Sequence, residues 1–433
     1  MAIDMATLPL QFALAIFRRF QLDLRRFPRA RFHTSFTPLS PRLHASFAPF
    51  HSTLYEPQQL TSTLFSPIKL GQLELANRIV VSPMCQYSAV EGNAQDWHLM
   101  HLGQIAMSGA GLFFIEATAV SAAGRITPGC LGLYSDDNEA ALARVLAAVR
   151  PHASSLIGMQ IGHAGRKSSS REPWNGGQLI PAGDPEAWLP AGPSALSHLP
   201  GEAPVHEMTR ADIGQVIRDF AATAERAARL GLDALELHGA HGYLLHSFLS
   251  PVANQRTDEY GGALENRMRM TLEVFDAVRA VWPAHKPLGV RISASDWVEG
   301  GWDVEQSIAL AKELHARGCN WIDCSSGGVA PALQKITLGP GYQVPFAEAI
   351  RKAVPGLPII AVGLITDPYQ AEEIVASGKS DMVALARAML YNPRWPWHAA
   401  ASLGATVSAP KQYWRCAPRE FPDVLGKVKT GQR

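Results

Sequence analysis

From Leu64 onward, short β-rich apolar runs alternate with amphipathic helical patterns, and this alternation occurs eight times. Eight strands that are each followed by a helix predict a closed (β/α)8 barrel, whose usual core is ~250 residues plus insertions. The alternative is an open doubly wound sheet, which carries a glycine-rich G-x-G-x-x-G turn after its first strand. The first strand here runs into Ser82-Pro-Met-Cys85 instead. We therefore predict an α/β TIM barrel.

Eight strands and eight helices follow from this pattern. The predicted strands are Arg78–Ser82, Gly111–Thr118, Leu156–His163, Gly231–His238, Leu288–Ser293, Asn320–Ser325, Pro358–Val362 and Asp381–Ala386. The predicted helices are 97–108, 136–150, 210–230, 263–282, 304–317, 344–353, 367–377 and 395–403. Four of the helix-to-strand connections contain the glycine that an αβ turn requires: Ser108–Gly111, Arg229–Leu232, Ala316–Gly318 and Ala376–Gly378.

A long segment after the third strand, Gly165–Pro204, contains seven prolines and many Gly and Ser residues. It is too broken to supply barrel elements, and we call it the excursion. Segments that follow barrel strands leave from the carboxyl-terminal face, where active sites of this fold lie. Two interpretations stay open, a lid over the site or a solvent-exposed insertion.

Composition restricts the class of ligand. The chain has 39 basic and 38 acidic side chains and a net charge of +1, so no electrostatic footprint for nucleic acid is present and we expect a small ligand. Its five cysteines form no C-x-x-C pair, which argues against structural zinc and fits a reducing compartment. Since no apolar run reaches the roughly 18–20 residues that cross a bilayer, we predict no membrane association.

The first 58 residues have a different composition. Seven arginines and few acids are set among Ser, Thr, Phe and Leu, which is typical of a transit peptide. We expect either mitochondrial import or a disordered or wrongly assigned amino terminus on a cytoplasmic protein. The predicted organisation is a targeting or disordered segment over 1–58, a barrel over 59–408 and a carboxyl-terminal tail over 409–433.

Polar side chains collect at the predicted strand ends. The fourth strand ends in a glycine-spaced loop that carries His238, His241 and Tyr243. Because buried imidazoles and phenols need partners, these three residues indicate a site and not a core strand. The other strand ends supply Ser82–Cys85, Tyr87, Ala117, Thr118, Gln160, His163, Arg291, Ser325–Gly328, Gly363 and Arg387.

Two further features indicate an anionic cofactor. Arg291 lies within an apolar strand, where a guanidinium is costly unless it meets an anion or an electron-rich ligand. The turns at Gly363 and at Ala386-Arg387 follow strands seven and eight, where barrels commonly hold phosphate on backbone N–H groups. The sequence therefore predicts a phosphorylated cofactor.

Several motifs resemble those of a known family. Ser82–Tyr87, His238–Pro251, Asn254–Gly262 and Glu265–Arg267 resemble the old yellow enzymes, which are FMN-dependent ene-reductases. The similarity covers about Leu64 to Arg415, and Cys85 with the His238-x-x-His241 pair resembles the thermophilic-like class. The resemblance implies an FMN barrel that takes electrons from NAD(P)H and reduces activated C=C bonds of α,β-unsaturated carbonyl compounds.

The resemblance also implies a role for each site residue. FMN would contact Ser82, Pro83, Met84, Cys85, Ala117, Gln160, Arg291, Gly363, Ala386 and Arg387. His238 and His241 would bind the substrate carbonyl oxygen, Tyr87 would line the pocket, Cys85 would lie near the reactive edge, and Tyr243 would donate the proton. The chemistry of the residues agrees, because paired imidazole donors stabilise a developing enolate and a phenol can act as a general acid.

Alternatives from the residues stay open. His238 and His241 are also possible metal ligands, and Cys85 is a candidate redox sensor. A dedicated reductase or isomerase in a biosynthetic pathway and a non-catalytic flavin-binding barrel are the competing functions. The dienoyl-CoA reductase branch is disfavoured, since its iron–sulfur cysteine cluster is missing here.

The carboxyl-terminal motif Gln412–Arg415 resembles the Q-Y-x-R of the class, whose arginine reaches into the neighbouring subunit's pocket. The resemblance implies a homodimer or a dimer-based tetramer, with Arg415 as a substrate-binding residue of the partner's site. Residues 416–433 follow that motif and either disturb or trail the contact.

Overall fold

The structure is a computed structural model that describes residues 62–427 and residue 431. The predicted transit peptide, 1–58, lies outside the described residues. Within the described part of the chain, no helix has the length and apolar character that crossing a membrane requires.

Eight parallel strands form a closed barrel. In chain order they are β1 Ile79–Val81, β2 Leu112–Ala119, β3 Leu156–Gly162, β4 Ala234–Gly239, β5 Leu288–Ser293, β6 Ile322–Ser325, β7 Ile359–Ala361 and β8 Met382–Leu385. Each strand pairs with the next, and β8 closes the ring on β1 with Val383 opposite Ile79 and Leu385 opposite Val81. The predicted TIM barrel is confirmed, and the open sheet is wrong.

Eight helices surround the barrel, one after each strand. They are α1 Asp96–Ala106, α2 Asp136–Val149, α3 Arg210–Arg229, α4 Leu264–Val281, α5 Val304–Ala316, α6 Val344–Ala353, α7 Pro368–Ala376 and α8 Trp395–Ser402. Two short helices, Leu244–Leu249 and Arg387–Tyr391, lie directly after β4 and β8. Every predicted helix overlaps its observed counterpart.

The helix-to-strand turns explain where the strands begin. Each predicted turn has a glycine in the left-handed region, at Gly109, Gly231, Gly318 and Gly378. β4 starts three residues later than predicted, at Ala234. The reason is that Gly231 has φ +73° and the Asp233 carboxylate accepts the Ile157 N–H at 2.8 Å, which keeps both residues in the turn.

The amino-terminal end of the barrel is covered by a hairpin, Ile68–Leu70 with Leu73–Leu75. Leu70 and Leu75 pack with the buried strand residues Val80 and Leu112 and with the indole of Trp321. This apolar layer excludes water from that end. The polar chemistry of the interior is thereby left to the carboxyl-terminal end.

The excursion contains two 3-10 turns, Gly165–Lys167 and Pro173–Asn175. Its Trp174 ring lies 5.7 Å from the Tyr87 ring, edge to face, and the Trp188 indole N–H donates to the Ala123 carbonyl at 3.0 Å. The excursion therefore borders the loops that follow β1 and β2. An opening motion of a lid stays a prediction.

The carboxyl-terminal tail packs against α8. The Tyr413 ring lies 5.8 Å from the Trp397 ring, and the Val407 N–H donates to the Val424 carbonyl at 2.8 Å. Val424 and Leu425 are buried. The residues that follow the Gln412–Arg415 motif therefore return to the barrel as far as Leu425.

Candidate active site

The loop after β4 brings three predicted residues together. The ring centroids of His238 and Tyr243 are 4.7 Å apart, those of His238 and His241 are 5.1 Å apart, and those of His241 and Tyr243 are 6.5 Å apart. His238 lies opposite Arg291 in the register of β4 and β5. The convergence that the sequence predicted is present at the carboxyl-terminal end of the barrel.

His238 is held as a neutral hydrogen-bond donor. The Ala240 N–H donates to its Nδ1 at 3.2 Å, so Nε2 carries the proton of the neutral ring. Burial and the neighbouring Arg291 guanidinium hold the pKa of His238 well below its usual value. The Nε2–H group is therefore available to an oxygen acceptor at neutral pH.

His241 is fixed by its backbone as well as by its ring. Its φ is +60°, its N–H donates to Ser293 Oγ at 2.9 Å, and Nε2 lies 2.7 Å from Ser325 Oγ. The loop after β6 packs on the same backbone, since a Cβ at Gly328 would come within 2.6 Å of the His241 carbonyl oxygen. Burial and Arg291 lower the pKa of His241, which keeps this ring neutral too.

Tyr243 is a protonated phenol. Burial raises its pKa well above the usual value for a tyrosine, so the hydroxyl keeps its proton at neutral pH. The Lys167 ammonium lies 4.7 Å from the centre of its ring and donates to the His241 carbonyl at 2.8 Å. Lys167 thus contacts two of the three residues of this loop.

Cys85 follows β1 and is half-buried. Burial, together with the neighbouring Cys130 and Glu116, raises the pKa of its thiol well above the usual value. Because the thiolate is the reactive form, this environment is opposite to that of a redox-sensing cysteine. The alternative role as a sensor loses support.

A buried charge network lies in the barrel interior. Arg291 Nε is 3.4 Å from Asp323 Oδ2, and the Glu236 carboxylate accepts the Gln160 amide N–H and the Trp321 indole N–H, both at 2.9 Å. Burial and the nearby Asp323 raise the pKa of Glu236 to about 8, and burial raises that of Asp323.

The network changes one expectation from the sequence, the charge partner of Arg291. We argued that Arg291 requires a bound anion, but Asp323 lies beside it and supplies part of that charge. The terminal nitrogens of Arg291 nevertheless donate no hydrogen bond to a described residue. They are free to meet a further acceptor in the cleft.

The ends of β7 and β8 form a cradle. Ala361 and Val383 are paired across these strands, which places the Gly363 turn beside the start of the short helix Arg387–Tyr391. Gly363 has φ +131°, and a Cβ there would approach the Gln343 amide at 3.1 Å. The first N–H groups of a helix lack intrahelical partners. The exposed Arg387 forms no ion pair with a described residue.

These features fit FMN. A phosphate matches the free N–H groups and the cation at Gly363, Ala386 and Arg387. A polar ring edge matches the free Arg291 nitrogens, the Gln160 amide and the Ser82 hydroxyl, which is buried without a hydrogen-bond partner among the described residues. Ser82–Cys85 and Ala117 lie at the neighbouring ends of β1 and β2.

Other predicted residues have simpler surroundings. The Thr118 hydroxyl donates to the Glu116 carbonyl at 2.8 Å within β2, where the register with β3 shifts between Ile115 and Thr118. His163 Nδ1 accepts the Gly165 N–H at 3.0 Å and stabilises the turn after β3. Arg415 is exposed in the 3-10 helix Lys411–Cys416. No group of three or more His, Cys, Asp or Glu residues in the described chain is arranged to hold a metal ion.

Sequence reasoning missed five residues of this region: Lys167, Cys130, Glu236, Asp323 and Gln343. Cys130 lines a small pocket with His238 and Tyr243. The acids inside the apolar strands β4 and β6 were a usable signal, since a buried carboxylate needs a partner. Cys130 and Gln343 lie in loops without a recognisable pattern.

Comparisons with known proteins identify the family. Residues 63–405 match the NADH:flavin oxidoreductase / NADH oxidase family. An NADPH dehydrogenase of Geobacillus sp. (strain WCH70) is 45% identical over 358 residues, which are 82% of this chain and 99% of that protein. An NADH:flavin oxidoreductase of Gibberella zeae is 41% identical over 388 residues, covering 85% of this chain and 94% of that protein.

Solved structures agree with this assignment. Morphinone reductase in complex with tetrahydroNAD is 28% identical, has a TM-score of 0.64, and is matched over 83% of this chain and 93% of that chain. A naphthoyl-CoA reductase complex has a TM-score of 0.70 at 26% identity and covers 79% of this chain and 52% of that chain. The chain belongs to the NADH:flavin oxidoreductase / NADH oxidase family, the old yellow enzymes, and is an FMN-dependent oxidoreductase that uses NAD(P)H as reductant.

Proposed function

We propose that the enzyme is an ene-reductase for α,β-unsaturated carbonyl compounds. The observation that carries the proposal is the cluster of two neutral imidazoles and one protonated phenol in the loop after β4. FMN, when bound, takes two electrons from NAD(P)H and delivers them as hydride to the β-carbon of the acceptor. The chain's own residues supply binding, charge stabilisation and the proton.

Residues at the carboxyl-terminal strand ends would hold FMN. Gly363, Ala386 and Arg387 would hold the phosphate, and Arg291 and Gln160 would meet the pyrimidine edge of the ring. A cation beside that edge favours negative charge on it, while Asp323, 3.4 Å from Arg291 Nε, offsets part of the cation's charge. Ser82, Pro83, Met84, Cys85 and Ala117 would line the ring, with the Cys85 thiol near its reactive edge.

His238 and His241 would bind the carbonyl oxygen of the acceptor. The charge on this oxygen grows as the β-carbon is reduced, and N–H donors aimed at it stabilise the enolate more than the ground state. Neutral imidazoles suit this role because their N–H groups stay in place over the physiological pH range. Tyr87 would line the same pocket.

Tyr243 would protonate the α-carbon. Its raised pKa keeps the proton on the phenol until the basic enolate carbon accepts it. After transfer, the Lys167 ammonium over the ring stabilises the phenolate charge. Tyr243 then recovers a proton from solvent.

We further propose a homodimer or dimer-based tetramer in which Arg415 enters the partner's site. Arg415 is exposed on its own subunit, and α1, the helix Arg387–Tyr391 and the tail each carry exposed large apolar side chains: Trp97, Met100, Leu390, Tyr391 and Tyr413. Exposed apolar groups of this size mark interaction surfaces. Residues 59–408 form the FMN domain in this proposal.

The test is anaerobic turnover. NADPH or NADH should bleach the visible absorbance of the bound flavin, and an enone such as cyclohexenone should restore it while the saturated ketone appears. An isomerase would convert substrate without consuming reductant, and a non-catalytic barrel would stay bleached with every enone tested. Either of these results contradicts the proposal.

A further inference from the structure

A cavity of about 380 Å³ lies between the excursion and the loops after β1, β2 and β6. Tyr87 forms part of its wall, and Lys167, which contacts Tyr243, forms another part. The other charged or titratable residues of the wall are Arg166, Arg171, His198 and Glu202. The cavity therefore adjoins the proposed substrate pocket at Tyr87 and Lys167.

The Lys167 ammonium has no acidic partner among the described residues. Its ammonium donates to the His241 carbonyl at 2.8 Å and forms no ion pair with a described residue. Burial and the adjacent Arg166 guanidinium lower its pKa to about 8. One backbone carbonyl satisfies one of its three N–H donors, which leaves two for a ligand.

Arg166 and His198 add side-chain nitrogens that lack hydrogen-bond partners among the described residues. Arg166 is 5% exposed; its Nη1 donates to the Ser197 carbonyl at 3.0 Å and its Nη2 to the Val329 carbonyl. Its Nε is buried and meets no hydrogen-bond partner within the described part of the chain. His198 Nδ1 is also buried, with no hydrogen-bond partner in residues 62–427. Burial, followed by the neighbouring Lys167 and Arg166 charges, lowers the pKa of His198 to about 3, so this ring is neutral at physiological pH.

The acids of the cavity do not cancel this charge. The Glu202 carboxylate accepts the Leu199 N–H at 2.8 Å. Glu202 and Asp296 offset part of the Arg166 charge through space, but among the described residues neither forms an ion pair with Arg166 or Lys167. Arg171 is already neutralised by Asp184 at 2.5 Å and Glu186 at 2.7 Å. Positive charge that is half-buried, unpaired and supplied with free N–H donors has the character of an anion-binding site.

We propose that Lys167, with Arg166 Nε and His198 Nδ1 beside it, forms a subsite for a carboxylate or phosphate group on the ligand that occupies the active site. This inference rests on the proposed function. It assigns the acceptor to a narrower class, enones that carry an acidic group beyond the reacting C=C bond. A phosphate of NAD(P)H is the alternative anion for this subsite, and the kinetic experiment distinguishes the acceptor from the reductant.

The binding experiment uses a matched pair of phenols. Para-hydroxyphenylpropanoate carries a carboxylate at the end remote from the phenolic oxygen, and its methyl ester carries a neutral group of similar shape there. Isothermal titration calorimetry on the FMN-loaded enzyme should show tighter binding of the acid. In Lys167→Met the acid-to-ester affinity ratio should fall about 10-fold or more, since a hydrogen bond to a charged group is lost. Lys167→Arg should restore most of the ratio.

A control keeps the result specific. Arg171→Met removes a positive charge from the same cavity wall, but a charge that is already paired, so the acid-to-ester ratio should stay near the wild-type value. If Lys167 acted only by holding the His241 carbonyl, Lys167→Met would weaken acid and ester equally. An unchanged ratio in Lys167→Met therefore overturns the subsite.

Kinetics identify the source of the anion. A carboxylate-bearing enone, trans-β-acetylacrylate, is compared with its methyl ester, and NADPH is compared with NADH. A lower acid-to-ester ratio of kcat/KM in Lys167→Met assigns the site to the acceptor, and a selective rise in KM for NADPH assigns it to the reductant's phosphate. If the wild-type enzyme reduces no enone, the proposed function fails, yet the phenol pair still tests the subsite. If enones turn over but the phenol ratio does not respond, only the subsite fails.

Discussion

His241 Nε2 lies 2.7 Å from the hydroxyl oxygen of Ser325. Ser326 donates to Gln343 Oε1 at 2.6 Å, whereas Ser325 is 3.3 Å from the same oxygen. The Ser325 proton therefore has its better acceptor in His241 Nε2, which places the imidazole proton on Nδ1. With Nε2–H of His238, this gives the loop two N–H donors for one substrate oxygen.

This relationship predicts a role for Ser325 in positioning His241. Ser325→Ala should weaken binding of para-hydroxybenzaldehyde about 3- to 10-fold, because a hydrogen bond that fixes the donor tautomer is lost. Titration calorimetry measures the change. Ser326→Ala is the matched control, since its hydroxyl contacts Gln343 and not His241. Equal weakening in the two variants would contradict the role.

Tyr243→Phe separates the two half-reactions. Bleaching of the flavin by NADPH should proceed at the wild-type rate, because no proton is donated to carbon in that step. Recovery of the absorbance with an enone should slow by ~10²–10⁴-fold, the usual contribution of a general acid. Anaerobic stopped-flow absorbance measures both rates. Equal slowing of the two steps would refute the assignment of Tyr243 as the acid.

The imidazole pair should bind phenols and carbonyls as a unit. His238→Ala and His241→Ala should each weaken binding of para-hydroxybenzaldehyde about 10-fold, since an N–H donor to oxygen is removed. A double variant should lose less than the product of the single losses, because both donors meet one acceptor. Exactly multiplicative losses, measured by calorimetry, would mean that the two rings act on separate groups.

Buried histidines predict a decline in stability at acid pH. Burial lowers the pKa of His163 from 6.5 to about 4, so this ring is neutral in the folded state and charged in the unfolded chain at pH 5. Because the pKa of His163 is lower in the folded than in the unfolded state, its contribution to stability is fully present above pH 6.5. As pH falls from 6.5 towards 4, the unfolded chain takes up a proton that the folded protein does not, and the free energy of unfolding falls by roughly 1.4 kcal/mol per pH unit.

Thermal denaturation at pH 7 and pH 5 measures this decline. His163→Asn keeps an acceptor for the Gly165 N–H and removes the titrating ring, so its melting temperature should fall less between the two pH values than that of the wild type. His398→Asn, which replaces an exposed histidine, is the control and should follow the wild type. An identical pH dependence in His163→Asn would rule out this source of acid sensitivity.

The sequence predicted the barrel because alternation of strands and helices is a local property that appears in each repeat. It also predicted His238, His241 and Tyr243, since three polar groups at one strand end have no role in an apolar core. It could not predict that Asp323 lies beside Arg291, because that contact depends on the register of β5 and β6.

The surroundings of Lys167 were hidden for a related reason. Its neighbours His198 and Glu202 come from the far end of the excursion, which carries no periodic pattern. Likewise, the contact of Ser325 with His241 joins the end of β6 to the loop after β4, and the two residues are 84 positions apart in the sequence. Contacts between loops depend on the closed barrel, and they become visible only when the strands are placed in space.

Arg415 provides the test of shared active sites. It is exposed in the 3-10 helix Lys411–Cys416, and the described tail packs on α8, away from the strand ends of its own barrel. A guanidinium from a second subunit could bind the acceptor carbonyl or orient the nicotinamide. Arg415→Ala should therefore lower kcat/KM for enones while leaving flavin content unchanged, and Arg419→Ala, another exposed tail arginine, should not.

Mixing variants decides whether the arginine acts across the interface. When Arg415→Ala and Tyr243→Phe subunits exchange, each mixed dimer has one site with both lesions and one site with neither, provided that Arg415 serves the partner's site. Activity should then rise above that of either variant alone, towards one quarter of the wild-type value in a statistical mixture, because about half of the dimers are mixed and half of their sites are intact. If Arg415 serves its own subunit, every site in the mixture carries one lesion and no recovery occurs. A monomeric elution profile for the active enzyme would equally contradict the shared site.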